Sequence, residues 1–136
     1  MDSLQQIALM ACIIQGEGER LGPLGMFGVA TTIAERLKRG QDIERIDREY
    51  YGNDMDKGGC TVPSLAAVSW AIRTLCGEVP PCSYPFVYSR SDVERGGYPA
   101  ADFVMLIDGG GNGKELHFYK VWPVETLRRR LSGETE

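Results

Sequence analysis

Leu4, Ile7, Ala8, Ala11 and Ile14 recur at helical spacing, and Leu9, Met10, Cys12 and Ile13 between them are apolar too. The pattern predicts a helix from residue 4 to about 15 that is apolar nearly all round, and so sits inside the molecule. Ser3 with Gln6 three residues later fits a capping box at its start, and Gly16 and Gly18 predict its end. A second helix is predicted over about 25–39, with Met26, Val29, Ala30, Ile33 and Leu37 as its buried stripe. Lys38 and Arg39 suit its C-terminal dipole, and Gly40 closes it. A third begins near Pro63 and runs through Leu65, Val68, Trp70, Ile72 and Leu75 to Gly77, with Pro80 and Pro81 beyond. Trp70 is expected in the core.

The period then changes. YPFVYS (84–89), DFVMLI (102–107) and ELHFYKV (115–121) are short, rich in β-branched and aromatic residues, and bounded by Gly, Pro and Asp, so they predict strands. DGGGNGK joins the last two as a hairpin whose glycines and Asn supply positive φ. A short helix from Pro123 to about Leu131 follows, with Trp122 as a staple before it. Helices followed by strands indicate an α+β fold, with a helix-rich N-terminal half and a small antiparallel sheet from the C-terminal half. Residues 41–62 give the weakest pattern. A chain of 136 residues suits a single domain, 1–136.

A net charge of -4 argues against a nucleic-acid or anionic-membrane binder, and the one basic run, Arg128 to Arg130, reads as a solvated helix end. No stretch approaches the ~18 apolar residues of a membrane span, and MDSLQQ lacks a basic signal-peptide start. The expectation is a protein made soluble, with no signal peptide of its own. Cys12, Cys60, Cys76 and Cys82 show no C-x-x-C spacing, so neither a metal site nor a cofactor is expected. Cys76 and Cys82 flank the GEVPP turn, which fits a bridge between them as well as it fits two reduced thiols. GGGNGKE lacks the first glycine and the magnesium-binding hydroxyl of a phosphate loop, having Asp108 and Glu115 there. DMDKGG fails as a calcium loop, with Gly58 and Leu65 at ligand positions, and reads as a polar turn.

Candidate chemistry gathers in IIQGEGERLGPLG (13–25), where Glu17 and Glu19 follow the apolar helix. A carboxylate held at the end of a buried helix loses solvation, which favours its neutral form, and a protonated acid is what cleavage of a glycosidic bond requires. The plainer reading makes both residues surface charges in a glycine-rich turn.

GEGERLGPLGMFGVATTIAERL resembles the signature of the cell-wall hydrolase family that includes the spore-cortex-lytic enzyme SleB. There a Glu at a helix end is followed by a Gly-containing turn and a helix ending in Asn-Arg. Glu17 stands at the family's catalytic Glu, Gly25 at the glycine opening the next helix, and Glu35-Arg36 at the Asn-Arg. PSLAAVSWAIRTLCG and ELHFYKVWP are similar to later segments of the family. The chain departs at Glu17-Gly18-Glu19-Arg20-Leu21, where the family carries Glu-Ala-Arg-Gly-Glu, so Glu19 has no matched place.

The resemblance implies a lysozyme-like domain that cleaves the β-1,4 bond between N-acetylmuramic acid and N-acetylglucosamine in peptidoglycan. It implies the manner of a lytic transglycosylase, with Glu17 as both acid and base, acting at the cell wall of a bacterium or during phage-driven lysis. A hydrolase would need a second carboxylate roughly 5 to 9.5 Å away, for which Glu19, Asp92 and Asp102 are candidates. YPFVYSRSDVERGGYP (84–99) supplies flat faces and polar tips for a sugar, from which Tyr88, Ser89 and Asp92 are taken as substrate-binding, beside Tyr84, Arg90 and Tyr98. His117 reads as a satisfied structural histidine. The rival reading is a non-catalytic glycan-binding or structural module that keeps the fold.

Overall fold

The computed structural model describes residues 2–51, 62–110 and 114–133. The DMDKGG turn, Cys60 and residues 111–113 of the hairpin lie outside these. The fold is α+β, with helices in the N-terminal half and a three-stranded antiparallel sheet in the C-terminal half. It divides into two compact units, Met1–Ser83 and Tyr84–Glu136, at the point where the hydrophobic period changes.

In the first unit, helix α1 (Ser3–Gly18) packs against α2 (Gly22–Lys38), α3 (Ile43–Tyr51) and α4 (Leu65–Leu75). Its residues Leu9 to Ile14 are all buried, as expected of a helix apolar on every side. Met10, Ile13, Ile14, Val29, Ile33 and Ile46 form the fully enclosed centre, each stabilising the fold by about 1.5 to 3 kcal/mol relative to exposure.

Several boundaries differ from the sequence expectation. The cap of α1 is Asp2, whose carboxylate accepts from Gln5 N at 2.8 Å while the Gln5 side chain accepts from Asp2 N at 3.0 Å. An aspartate one residue upstream competes better for the orphan amides than the Ser3 hydroxyl. Gly16 does not stop α1, which runs on and ends at Gly18. Helix α2 starts at Gly22 with Pro23 in its first turn, and its buried face is broader than the stripe: it takes in Thr31, Thr32, Glu35 and Arg36, while Leu37 is only half-buried.

Helix α3 lies in the stretch that had the weakest pattern. Asp42 caps it by accepting from Arg45 N at 2.8 Å, and Ile43 and Ile46 bury one face. In α4, Ser64 is the cap, and the buried residues are Ala67, Ala71 and Thr74 rather than the large ones. Leu65 is 85% exposed, and Ile72 and Leu75 also face outward. Small side chains at this spacing let α4 approach its neighbours closely. Trp70 is half-buried, between Phe27 and Arg73.

Of the two readings open for Cys76 and Cys82, the structure has the reduced thiols and no bridge between them. Cys76 caps the end of α4. The segment after Pro81 is drawn to α2 instead: Cys82 N donates to Thr31 O at 3.3 Å, and its Sγ lies 3.7 Å from Thr32 Oγ1. Cys12 is disulfide-bonded.

In the second unit, β1 (Phe86–Ser89), β2 (Phe103–Leu106) and β3 (Glu115–Tyr119) are ordered β1-β3-β2. The register sets Tyr88 opposite His117 and Phe103 opposite Phe118. One face thus carries Val87, Leu116 and Phe118, with Tyr84 stacked on Phe103 at 5.8 Å. The other carries Tyr88, His117 and Tyr119. Asp108 (φ 52°) turns the chain into the β2–β3 hairpin together with Gly109 and Gly110. Helix α5 (Arg90–Gly96) falls in a stretch for which the sequence predicts no helix, and α6 (Pro123–Leu131) closes the chain with Pro123 in its first turn.

Candidate active site

Glu17 sits in the last turn of α1, half-buried, and Glu19 follows it as the cap residue, opening a single 3₁₀ turn (Glu19–Leu21). Neither belongs to an open glycine loop. The end of α1 is fixed at three points. Glu19 N donates to Gln15 O. The Gln15 side chain accepts from Ser64 N at 2.5 Å, tying it to the start of α4.

The third point is the backbone approach of Gly18 to Gly25. A Cβ on Gly18 would lie 2.7 Å from the Gly25 carbonyl oxygen, and one on Gly25 would lie 2.6 Å from the Gly18 carbonyl oxygen. Any side chain there would force the helices apart, so these glycines set the position of the turn that carries Glu17. The last turn of α1 has no basic residue, and a carboxylate at a helix C-terminus faces the negative pole of the dipole.

The Glu35-Arg36 pair is buried. Glu35 accepts from Arg39 Nε at 2.7 Å, while Arg36, 1% exposed, donates from Nε to Gln41 Oε1 at 2.6 Å and from Nη2 to Glu49. Its work is to join α2 to α3. Nearby on α3, Asp47 is buried, and its Oδ1 finds no hydrogen-bond partner among the described residues. Burial pushes its carboxyl above the usual range, with Arg48 opposing.

Tyr88, Ser89, Asp92 and Asp102 all belong to the second unit, and the first three converge where β1 meets α5. The Ser89 hydroxyl caps α5, accepting from Asp92 N at 3.3 Å. Asp92 pairs with Arg95. Tyr88 Oη accepts from Trp122 Nε1 at 3.1 Å, and its ring meets Tyr98 edge-on at 5.2 Å. Tyr119 completes this aromatic group; its hydroxyl donates to Pro99 O at 2.8 Å, and burial raises its pKa above the ordinary phenol value, aided by Tyr98 and Asp102. His117 Nε2 lies 3.1 Å from Glu115, which also holds Arg90 at 2.9 Å. Asp102 Oδ2 accepts from Lys120 N at 2.7 Å.

Neither the Tyr98–Tyr119–Trp122 company of Tyr88 nor the buried Arg36 cluster is visible in the sequence pattern. The only local signal for the cluster was a charged pair, Glu35-Arg36, inside an apolar helix. Among the described residues, no group of three or more His, Cys, Asp or Glu could hold a metal ion, and no helix is long and apolar enough to cross a membrane. No protein-family model, curated protein or solved structure matches the chain.

Proposed function

We propose that this chain is a peptidoglycan-cleaving glycosidase of the lytic transglycosylase type, with Glu17 as its single acid and base. The observation that carries the reading is the half-buried carboxyl in the last turn of a buried helix, set by the Gly18–Gly25 approach in the same spacing as the cell-wall hydrolase signature. In this reading, the Glu17 carboxyl gives its proton to the glycosidic oxygen as the muramyl C1–O bond breaks and positive charge grows on the sugar. The resulting carboxylate takes the proton of the muramyl C6 hydroxyl as that oxygen bonds to C1. The products are a 1,6-anhydromuramyl end and a free N-acetylglucosamine hydroxyl, and no water enters.

Tyr88, Ser89 and Asp92 are proposed to contact the glycan. Ser89 and Asp92 would act mainly through the α5 start that they build, because the Ser89 hydroxyl is engaged in the cap and Asp92 in its ion pair. The protein would work at the cell wall. Mass spectrometry of purified sacculi after digestion tests the reading. Anhydromuramyl products are expected, reducing muramyl ends would instead indicate a hydrolase using Glu19, Asp92 or Asp102, and unchanged sacculi would refute glycosidase activity.

A further inference from the structure

A concentration of positive charge lies within the second unit. A cavity of about 400 Å³ opens between the segment before β2, the end of β3 and helix α6. Lys120, Arg129 and Arg130 line it against one carboxylate, Asp102. A chain of net charge -4 thus turns a locally cationic hollow to solvent. The Lys120 ammonium makes no ion pair among the described residues, and Arg129 reaches only Glu125, at 3.7 Å and shared with Arg128.

The walls are already satisfied. The buried Tyr119 hydroxyl is committed to Pro99 O, and Asp102 Oδ2 to Lys120 N. Asp102 Oδ1 has no hydrogen-bond partner among the described residues to compete with a ligand N–H, and Pro99, Ala100 and Val121 add apolar surface. The volume is in the range of small-ligand sites.

We propose that this cavity is a binding subsite for an acidic peptide. A ligand carboxylate would lie between Lys120 and the Arg129 guanidinium, whose planar fork suits carboxylate, and a ligand amide N–H would donate to Asp102. The same cations would attract inorganic phosphate, but Asp102 repels a dianion that offers no N–H, so the peptide is the better fit. The proposal uses only residues of the second unit and does not depend on Glu17. If the glycosidase reading holds, the acidic peptide would be the one carried on the glycan strand.

An NMR amide titration of the full chain with N-acetyl-diglutamate, its neutral analogue N-acetyl-diglutamine and inorganic phosphate tests this without any turnover assay. Saturable shifts are expected at Ala100, Asp102, Lys120, Val121 and Thr126 with the acidic dipeptide, with affinity lower by about tenfold or more for the neutral one. Phosphate is expected to bind more weakly than the acidic dipeptide. The double variant Lys120→Gln, Arg129→Gln should keep the wild-type spectrum elsewhere, since both side chains are exposed, and should lose the acidic-dipeptide shifts. Equal affinity for acidic and neutral dipeptides, phosphate binding as tight as the dipeptide, shifts that survive the double variant, or no saturable shift would each overturn the proposal.

Discussion

Gly25 shows how a single hydrogen atom can set a site. Alanine in a helix ordinarily gains about 1 kcal/mol over glycine, yet at Gly25 the added methyl would press on the Gly18 carbonyl oxygen at 2.6 Å. Leu21 Cβ, at 2.4 Å, and the Gly18 backbone leave it little room to yield. Gly25→Ala should therefore destabilise the protein by about 1 to 3 kcal/mol, the usual cost of overpacking, read from the midpoint of denaturant unfolding. A gain in stability would mean that the two helices do not approach as described. Asp47 gives a second test. Burial raises its folded-state pKa above the unfolded value, so the folded state binds the proton more tightly. Its contribution to stability is therefore lost as pH rises from the unfolded pKa through the folded one. Asp47→Asn should unfold at higher denaturant than wild type at pH 7, with the advantage shrinking towards pH 3. An advantage that grew on acidification would contradict the assignment.

At the level of elements, α1 and α2 could be read from their apolar faces, the three strands from β-branched and aromatic residues between breakers, and α6 from Pro123 at its start. Helix α3 could not, since Ile43 and Ile46 are its only aliphatic residues and most of its other positions are charged. The face of α4 misled because apolar size was taken for burial: close packing favoured Ala67 and Ala71 and left Leu65 outside. Glu17 was legible as a carboxylate placed where a buried helix ends. The Tyr88–Trp122 hydrogen bond was not, as its partners are 34 residues apart.

The α2–α3 junction rests on Arg36, and Glu49→Ala would strip the carboxylate from a guanidinium that stays buried. The expected loss is about 3 kcal/mol or more, measured by chemical denaturation. A loss below about 0.5 kcal/mol would indicate a pair of the exposed kind. The segment joining α4 to β1 carries the cysteine expectation. With Cys12 bridged and Cys76 and Cys82 reduced, the denatured, unreduced protein should titrate for two thiols of its four cysteines. Four reactive thiols, or none, would contradict this arrangement.

For the molecule as a whole, the helical unit holds the proposed acid and the sheet unit holds the aromatic group and the cationic cavity. Under the proposed function, an acidic chain acting on an anionic polymer would gain nothing from general attraction, so recognition would have to come from local sites of opposite charge. The claim on which the functional account depends is that one carboxyl does the proton chemistry. Glu17→Gln preserves the shape and hydrogen-bonding capacity of the side chain and removes only its ability to transfer the proton. Release of soluble muropeptides from sacculi should fall by the ~10² to 10⁴ typical of general acid-base catalysis, with a melting temperature equal to or above that of wild type. A folded Glu17→Gln protein that released muropeptides at the wild-type rate would contradict the account.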